Sequence, residues 1–248
     1  MKIQIFSDIH AEGWADPARL WTYVTPQADV AIVAGDIDAR VYEATVREIA
    51  GEFKKVFVLL GNHEFYRKDI TWRPDITRMP ENVTLLDRSA EEYEGVLFAG
   101  ATLWSDMKNG DPFLAQSADR CINDFRVIST GKGRAFKARD AADIHYKDKE
   151  FLDTIVELNR GKKLVIATHF MPSYALVHEK WKGGGTDELN YYFSANCDDL
   201  VTKSEAALWV FGHTHDRRDM MIGNVRCVCN PLGYARENPD FTDMIVEI

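Results

Sequence analysis

Short apolar runs recur along the chain, and each of them ends in polar residues. Five runs are four or five residues long and rich in valine, isoleucine and leucine: residues 3–6, 30–34, 56–60, 164–167 and 208–211. Runs of this length and composition are typical of buried β-strands, whereas helices need longer segments. The pattern therefore predicts five buried strands, each with a polar segment at its carboxyl end.

Two longer segments have the periodicity of amphipathic helices. Residues 41–53 present one apolar face, formed by Val41, Ala44, Thr45, Ile49 and Phe53. Residues 141–158 form a longer amphipathic segment, and the following Asn159-Arg160-Gly161 is a typical helix end. Because strands and helices alternate in the first third of the chain, parallel βα units are expected there.

The last third of the chain has a different pattern. Residues 218–222 and 225–229 flank the turn signal Gly223-Asn224, and residues 241–248 form a further short segment. This spacing predicts antiparallel strands. No repeat and no Pro/Gly/Ser-rich linker divides the sequence, so we expect a single domain of mixed α/β structure over residues 1–248.

The composition narrows the range of functions. Of 248 residues 46% are hydrophobic and 28% are charged, and the apolar runs are too short to span a bilayer. The net charge of −9 disfavours general binding to nucleic acid backbones. The N-terminus has no charged leader followed by an apolar stretch, and the four cysteines lack the spacing of a disulfide framework. We therefore expect a cytoplasmic protein in which Cys227 and Cys229 belong to the core.

The ends of the five predicted strands carry residues that commonly bind metals. These residues are Asp8, His10, Asp36, Asn62, His169, His213 and His215. Ligands of open α/β sheets bind beyond the carboxyl ends of the strands, so the seven side chains are expected to converge. The Asp-x-His pair at 8–10 and the His-x-His pair at 213–215 would each share one face of an extended backbone.

The donor set indicates which metals bind and how many. It offers imidazole and oxygen donors without a thiolate, which suits Mn, Fe or Zn better than Cu(I) or an iron–sulfur cluster. Seven donors are too many for one ordinary transition-metal ion, but they suit two ions that share a carboxylate. Two ions about 3.5–4 Å apart stabilise both the attacking and the leaving oxygen of a phosphoryl displacement. Five of the seven histidines fall in these segments, which scattered core or surface histidines would not do.

Together these segments resemble the calcineurin-like metallophosphoesterases. The match comprises Asp8-x-His10, Gly35-Asp36, Gly61-Asn62-His63-Glu64, His169 and Gly212-His213-x-His215, in the family's order and general spacing. The resemblance implies a two-sheet αββα sandwich with the metals at its edge. It implies one metal on Asp8, His10 and His215, a second on Asn62, His169 and His213, and Asp36 as the bridge. His63 is implied to lie near the leaving group, as an acid or a charge stabiliser.

One segment departs from the family's protein phosphatases, which carry Gly-Asp-x-x-Asp-Arg-Gly. Here residues 35–40 read Gly-Asp-Ile-Asp-Ala-Arg, so the second aspartate stands at another offset and no glycine follows the arginine. This departure leaves His63 without an evident partner. It also makes this sequence more similar to small bacterial phosphodiesterase-like members of the family than to the protein phosphatases. Weak candidates for substrate binding are Arg40, Tyr66 and Tyr192, and residues 182–186 are predicted to be a flexible connector between motifs.

The predicted function is hydrolysis of a small-molecule phosphoester, with a diester preferred because the Asp-Arg motif is absent. A metal-bound hydroxide is expected to attack phosphorus in line, and His63 or water to protonate the leaving oxygen. The alternatives are a phosphomonoesterase or protein phosphatase, a nuclease, and a non-enzymatic interaction module on the same fold. The acidic charge disfavours the nuclease and the complete donor set disfavours the module. No membrane partner and no particular oligomeric state is predicted.

Overall fold

Two β-sheets form the framework in the computed structural model, which describes residues 1–131, 133–185, 187–234 and 236–248, without the side chain of Pro17. The first sheet comprises β1 Lys2–Phe6, β2 Val30–Val33, β3 Lys55–Val58, β4 Val83–Leu85 and β11 Met244–Glu247. Its order is β11-β1-β2-β3-β4. Strands β1 to β4 are parallel, which confirms the predicted βα units, and β11 is antiparallel to β1.

The second sheet has six strands in the described part of the chain. They are β5 Ser89–Tyr93, β6 Val96–Ala101, β7 Leu164–Thr168, β8 Leu208–Val210, β9 Arg218–Ile222 and β10 Val225–Cys229. Their order is β5-β6-β7-β8-β10-β9, with an antiparallel hairpin at each edge and parallel strands between. The predicted antiparallel strands around Gly223-Asn224 are confirmed as β9 and β10. The segment 241–248 also pairs in an antiparallel way, but with β1 of the first sheet.

Helices cover the outer faces of the sheets. They are α1 Tyr42–Ala50, α2 Met107–Gly110, α3 Pro112–Cys121, α4 Asp124–Val127, α5 Ala138–Leu158, α6 Asn190–Phe193 and α7 Asp198–Ser204. The two predicted helices are present as α1 and α5. The buried face of α1 differs from the prediction. Val41 precedes the helix, and neither Val41 nor Ala44 is buried, whereas Tyr42 and Val46 are buried. None of the described helices combines the length and the apolar composition that a membrane crossing requires.

Three apolar clusters hold these layers together. In the cluster between the sheets, the Phe57 and Phe98 rings stack with centroids 4.1 Å apart. Alternate residues of β2, Ala31 and Val33, belong instead to the cluster that contains Val46 of α1. This period of two, with both faces buried, is what central parallel strands require. The result is a mixed α/β sandwich with two sheets inside and helices outside, as the resemblance implied.

The carboxyl ends of the central strands of both sheets meet at one edge of the sandwich. The Asp8 N–H donates to the Gly35 carbonyl across β1 and β2 (3.0 Å), and the Gly212 N–H donates to the His169 carbonyl across β7 and β8 (2.9 Å). These backbone bonds fix the loops that follow the strands. The predicted site residues lie in these loops.

Candidate metal centre

The backbone at five of the predicted site residues is left-handed. The φ angles of Asp8, His10, Asp36, His213 and His215 are 50°, 50°, 52°, 67° and 53°. The expectation of pairs on an extended backbone is therefore wrong, because both pairs lie in loops beyond β1 and β8. A left-handed conformation at a non-glycine residue costs about 1–3 kcal/mol, and such strain concentrates at functional sites.

A first group of side chains gathers beyond β1, β2 and β8. One ligand atom from each of Asp8, His10, Asp36 and His215 lies within 4.8 Å of the others. The Nε2 atoms of His10 and His215 are 3.0 Å apart, and Asp36 Oδ2 lies 3.8 Å from His10 Nε2. Two carboxylates and two imidazoles thus surround one small volume, a donor set that suits a divalent cation.

A second group adjoins the first and faces the other oxygen of Asp36. Ligand atoms of Asp36, His169 and His213 lie within 4.8 Å of one another, and Asp36 Oδ1 is 3.5 Å from His169 Nε2. Asn62 reaches the same place, because its Oδ1 is 3.0 Å from His169 Nε2. The structure therefore brings all seven predicted donors into two groups that share Asp36.

Three of the four histidines in these groups have a partner for the ring nitrogen that faces away from the group. His10 Nδ1 lies 3.3 Å from Glu12 Oε1, and His215 Nδ1 lies 2.7 Å from Glu237 Oε2. His169 Nδ1 lies 2.8 Å from the carbonyl oxygen of Ala34. Metal-binding histidines commonly donate their second nitrogen to a carboxylate or a carbonyl in this way, which turns Nε2 toward the metal.

His213 supplies the observation that tests whether a metal fits. Its Nε2 is buried and has no hydrogen-bond partner among the described residues. Burial, followed by the neighbouring His169, holds the pKa of His213 well below its usual value, so the ring is neutral. A buried polar atom without a partner is costly, and a neutral imidazole nitrogen is a metal ligand. The donor set and this orphaned nitrogen fit divalent metal binding.

Asp36 carries its negative charge between the two groups. Burial opposes its ionisation, but the nearby His169, His63 and His10 hold its pKa well below the usual range. Two glycines make room for Asp36 and His169. A Cβ atom at Gly61 would stand 2.1 Å from Asp36 Oδ1, and one at Gly35 would stand 2.5 Å from His169 Nδ1. Glycine is therefore required in the Gly-Asp and Gly-Asn-His motifs for steric reasons.

Glu64 organises the loops around Asp36, a role that sequence reasoning missed. Its buried carboxylate accepts the N–H groups of Gly61 (2.6 Å), Ile37 (2.7 Å) and Asp36 (3.1 Å). Glu64 thereby ties the loop after β2 to the loop after β3. Asp38, the aspartate at the unexpected offset, points away from the site and accepts the N–H groups that precede α1.

His63 lies beside the two groups and has partners on both ring nitrogens. Its Nδ1 is 3.0 Å from Glu12 Oε1, and its Nε2 is 3.2 Å from the Tyr234 hydroxyl. Burial lowers the pKa of His63, but Asp36 and Glu12 outweigh it and raise the pKa to about 9. The neighbouring Asn62 adopts helical rather than extended backbone angles, so the alternation of a strand does not apply to these two residues. His63 also forms a third candidate cluster with His10 and Glu12.

Glu12 is thus the missing partner of His63, and its carboxylate contacts His10 through the same oxygen. The sequence offered one signal for it, since Glu12 follows His10 at a spacing of two. Tyr234 and Glu237 had no such signal, because they lie beyond the last motif in a segment without regular pattern. They reach the site because this segment follows β10 at the same edge of the sandwich.

Asp124 fixes the orientation of the Asn62 amide. It is buried and accepts a hydrogen bond from Asn62 Nδ2 (3.0 Å), from the Tyr66 hydroxyl (2.8 Å) and from the Tyr192 hydroxyl. With Nδ2 engaged in this way, Asn62 Oδ1 points at the second group. Asp124 therefore selects the amide oxygen as the donor.

We expect Asp124→Ala to weaken metal binding at the second group about 10- to 100-fold, the usual effect of removing an outer-sphere partner. The reason is that the Asn62 amide would be free to turn its nitrogen toward the group. Titration of the metal-free protein with Mn²⁺ measures the affinity. Tyr192→Phe is the matched control, since it removes one hydrogen bond to Asp124 without touching Asn62. Equal Mn²⁺ affinity in Asp124→Ala and the unchanged protein would contradict this role.

A cavity of about 580 Å³ opens onto the candidate metal centre. Asp36, Asn62, His63, His213 and His215 form one wall of it. Tyr66 and Tyr192, two of the three weak candidates for substrate binding, also line the cavity. Arg40 is exposed and is not among the described residues that line it. Of the predicted connector 182–186, Thr186 lies outside the described residues.

The mixed α/β sandwich and the histidine–carboxylate–amide site at its edge are those of a metallophosphoesterase. The family model of the calcineurin-like phosphoesterases matches residues 1–217, and the chain belongs to that family. Its members are generally hydrolases and typically bind divalent metals. The histidine and carboxylate clusters described above could hold such metals.

Several proteins are similar to the chain over nearly its whole length. An uncharacterized protein of Acanthamoeba polyphaga mimivirus, L509, is 24% identical, and the alignment covers 96% of this chain and 93% of that protein. The crystal structure of phosphopantetheinyl hydrolase (PptH) from Mycobacterium tuberculosis matches with a TM-score of 0.75 at 20% identity, covering 99% and 95% of the two chains. The structure of TT1561 from Thermus thermophilus matches with a TM-score of 0.55 at 15% identity, covering 93% and 88%. These structures support the fold assignment.

Proposed function

We propose that the protein is a phosphodiesterase that uses two divalent metal ions. The observation that carries the proposal is the pair of adjoining donor groups with one Asp36 oxygen facing each, at 3.8 Å from His10 Nε2 and 3.5 Å from His169 Nε2. We assign Asp8, His10 and His215 to one ion, Asn62, His169 and His213 to the other, and Asp36 to both. Manganese, iron and zinc all suit this donor set.

When bound, the two ions activate water and neutralise charge on the phosphoryl oxygens. The protein's own residues hold this site and handle the proton. His63 donates a proton to the leaving oxygen, and Glu12 on its Nδ1 keeps Nε2 directed at the cavity. The Tyr234 hydroxyl lies 3.2 Å from His63 Nε2, and in this proposal the leaving oxygen of the substrate would approach the same nitrogen.

A diester is favoured over a monoester by the shortage of cations around the cavity. Monoester dianions are commonly gripped by arginine, which binds two oxygens at once. Among the described residues that line the cavity, the only lysine or arginine is Lys180, and its Nζ is paired with Asp216 at 2.5 Å. A diester carries one negative charge less than a monoester dianion, so its binding requires fewer cationic side chains. A nuclease is disfavoured by the net charge of −9.

The test is turnover by the Mn²⁺-loaded protein. We expect bis-4-nitrophenyl phosphate to be hydrolysed with a higher kcat/KM than 4-nitrophenyl phosphate. Phosphopantetheinyl esters belong in the substrate panel because one structural relative is a phosphopantetheinyl hydrolase, and cyclic nucleotides, phosphopeptides and single-stranded DNA complete it. A preference for monoesters would contradict the phosphodiesterase and favour a phosphomonoesterase or protein phosphatase, and a preference for DNA would favour a nuclease. Absence of any turnover by the metal-loaded protein would favour an interaction module.

We further propose that residues 1–248 act as one domain, because loops from both sheets build the site. A reducing compartment such as the cytoplasm is supported by the cysteines. All four are free, and Cys227 and Cys229 are fully buried on β10, within the core as expected. Burial raises the pKa of the Cys227 thiol to about 12, so it stays protonated near neutral pH, and no cysteine belongs to the candidate metal clusters among the described residues.

Replacing both Cys227 and Cys229 by alanine is expected to destabilise the protein by about 1 kcal/mol for each residue, because each leaves a small core cavity. The bound metal should remain unchanged, since no sulfur belongs to either donor group. Thermal unfolding and elemental analysis of the double variant measure the two effects. Exposed Cys121→Ala is the control for unfolding. A folded double variant that has lost metal would overturn the assignment.

A further inference from the structure

The cavity has a second wall that the proposed chemistry does not use. Beside the proposed metal donors the cavity is lined by Ile122, Met171, Val177, Leu189 and Phe193. Ile122 follows α3, and the other four lie within residues 171–193, between β7 and the end of α6. Two parts of the chain that are distant in sequence thus place apolar side chains against one space.

This apolar wall begins directly at the metal centre. The Phe193 ring lies 5.1 Å from the His213 ring, centroid to centroid, so the wall continues from a proposed metal donor without a gap. A group bound to phosphorus would therefore enter apolar surroundings at once. A charged group would lose hydration there, and Lys180, the one lysine or arginine among the described residues that line the cavity, is already paired with Asp216, so burying such a group is unfavourable.

Trp181 stands at the mouth of the cavity and is held there. Trp181 is 54% exposed, which is unusual because tryptophan, with the largest apolar side chain, is highly buried on average. The Trp181 Nε1–H donates to Asp216 Oδ2 (2.7 Å), and Lys180 Nζ pairs with the other oxygen of the same carboxylate (2.5 Å). One buried carboxylate thus both anchors the indole and neutralises the lysine. Lys180 Nζ also lies 4.9 Å from the centroid of the indole ring, and the rest of the exposed indole surface is available to an apolar partner.

We infer that this wall, with Trp181 at its mouth, is a subsite for an uncharged, predominantly apolar group of the phosphoester, such as an alkyl chain. The inference rests on the proposed function, because it specifies one substituent on the phosphorus that the metal centre would bind. The inferred subsite excludes substrates in which the substituent that enters the cavity carries a second phosphate or a carboxylate. The volume of about 580 Å³ is within the range of sites for small organic ligands.

Alkylphosphonates test the inference because they cannot be hydrolysed at the P–C bond. Methyl-, butyl- and hexylphosphonate are compared as inhibitors of bis-4-nitrophenyl phosphate turnover and by calorimetry, both with Mn²⁺-loaded protein. Each methylene that is buried should tighten binding roughly threefold to fourfold, so hexylphosphonate should bind at least about tenfold tighter than methylphosphonate. 5-Carboxypentylphosphonate, of the same length, should bind at least about tenfold more weakly than hexylphosphonate.

Two variants test whether the dependence of binding on alkyl chain length arises at Trp181. Trp181→Ala should reduce the hexyl-to-methyl ratio of affinities by about threefold or more, because an aromatic face is lost. Tyr146→Ala, which removes a half-exposed aromatic side chain on α5 away from the cavity, should leave the ratio unchanged. A ratio near one in the unchanged protein, or tighter binding of the carboxylate, overturns the subsite while leaving the phosphodiesterase intact. Chain-length-dependent binding without turnover of any phosphoester supports the subsite and contradicts the proposed function.

Discussion

Asp36→Asn is expected to lower the bound metal from about two ions per chain to less than one and to reduce turnover by at least about 10²-fold. The reason is geometric: Asp36 Oδ2 faces His10 and Oδ1 faces His169, so one substitution removes the charge shared by both groups. Loss of an outer-sphere partner already costs about 10- to 100-fold in metal affinity, and a shared donor should cost more. Elemental analysis after reconstitution with Mn²⁺ measures the metal content.

Asp38→Asn is the matched control for this experiment. It makes the same chemical change two residues away, at a buried carboxylate that accepts N–H groups before α1 and the Thr45 hydroxyl. Its effect should be confined to stability, at about 1 kcal/mol, as for other helix-terminal acceptors. Circular dichroism establishes that both variants are folded. Two tightly held ions in folded Asp36→Asn would remove the bridging role.

The positions of the candidate metal donors were predictable because strand ends fix them. A short buried strand leaves few conformations for the residue that follows it, and parallel neighbours end at the same edge. His169 and His213 could be expected to converge on one pocket for this reason, although they are far apart in the sequence, whereas their assignment to one ion came from the resemblance. Their backbone conformation was not predictable in this way. The left-handed angles at Asp8 and Asp36 arise where loops from adjacent strands bond to each other, as in the Asp8 to Gly35 hydrogen bond.

The side chains that support the donors were harder to find. Glu64 belongs to the Gly-Asn-His-Glu motif, but its role depends on the meeting of two loops, after β2 and after β3, which no local pattern records. Tyr234 and Glu237 come from an irregular segment, where periodicity carries no information. Strands β4 and β5 were missed because their residues are only partly buried and mostly polar or mixed, so they lack the apolar runs of central strands. Strand β6 was also missed, although it is fully buried and mostly apolar.

His63→Gln is expected to retain both metals and to slow cleavage of alkyl esters by about 10²- to 10⁴-fold, the usual range for general acid catalysis. His63 lies outside the two donor groups that share Asp36, and its Nε2 points at the cavity while Glu12 holds Nδ1. Its pKa of about 9 means that the ring carries a proton at neutral pH, and cations bound at Asp36 would lower that value toward neutrality. A 4-nitrophenolate leaves readily without a proton, so nitrophenyl esters should be slowed much less.

The measurement is kcat for an alkyl diester and for a nitrophenyl diester, with metal content determined on the same samples. Glu12→Gln serves as the matched variant, because it keeps His63 but replaces the carboxylate that orients it. Glu12→Gln should lower kcat for both ester classes, and each loss should be smaller than in His63→Gln. Equal losses on both classes in His63→Gln would instead assign the ring to charge stabilisation of the phosphoryl oxygens. Loss of one ion would make His63 a metal ligand, which the third cluster with His10 and Glu12 allows.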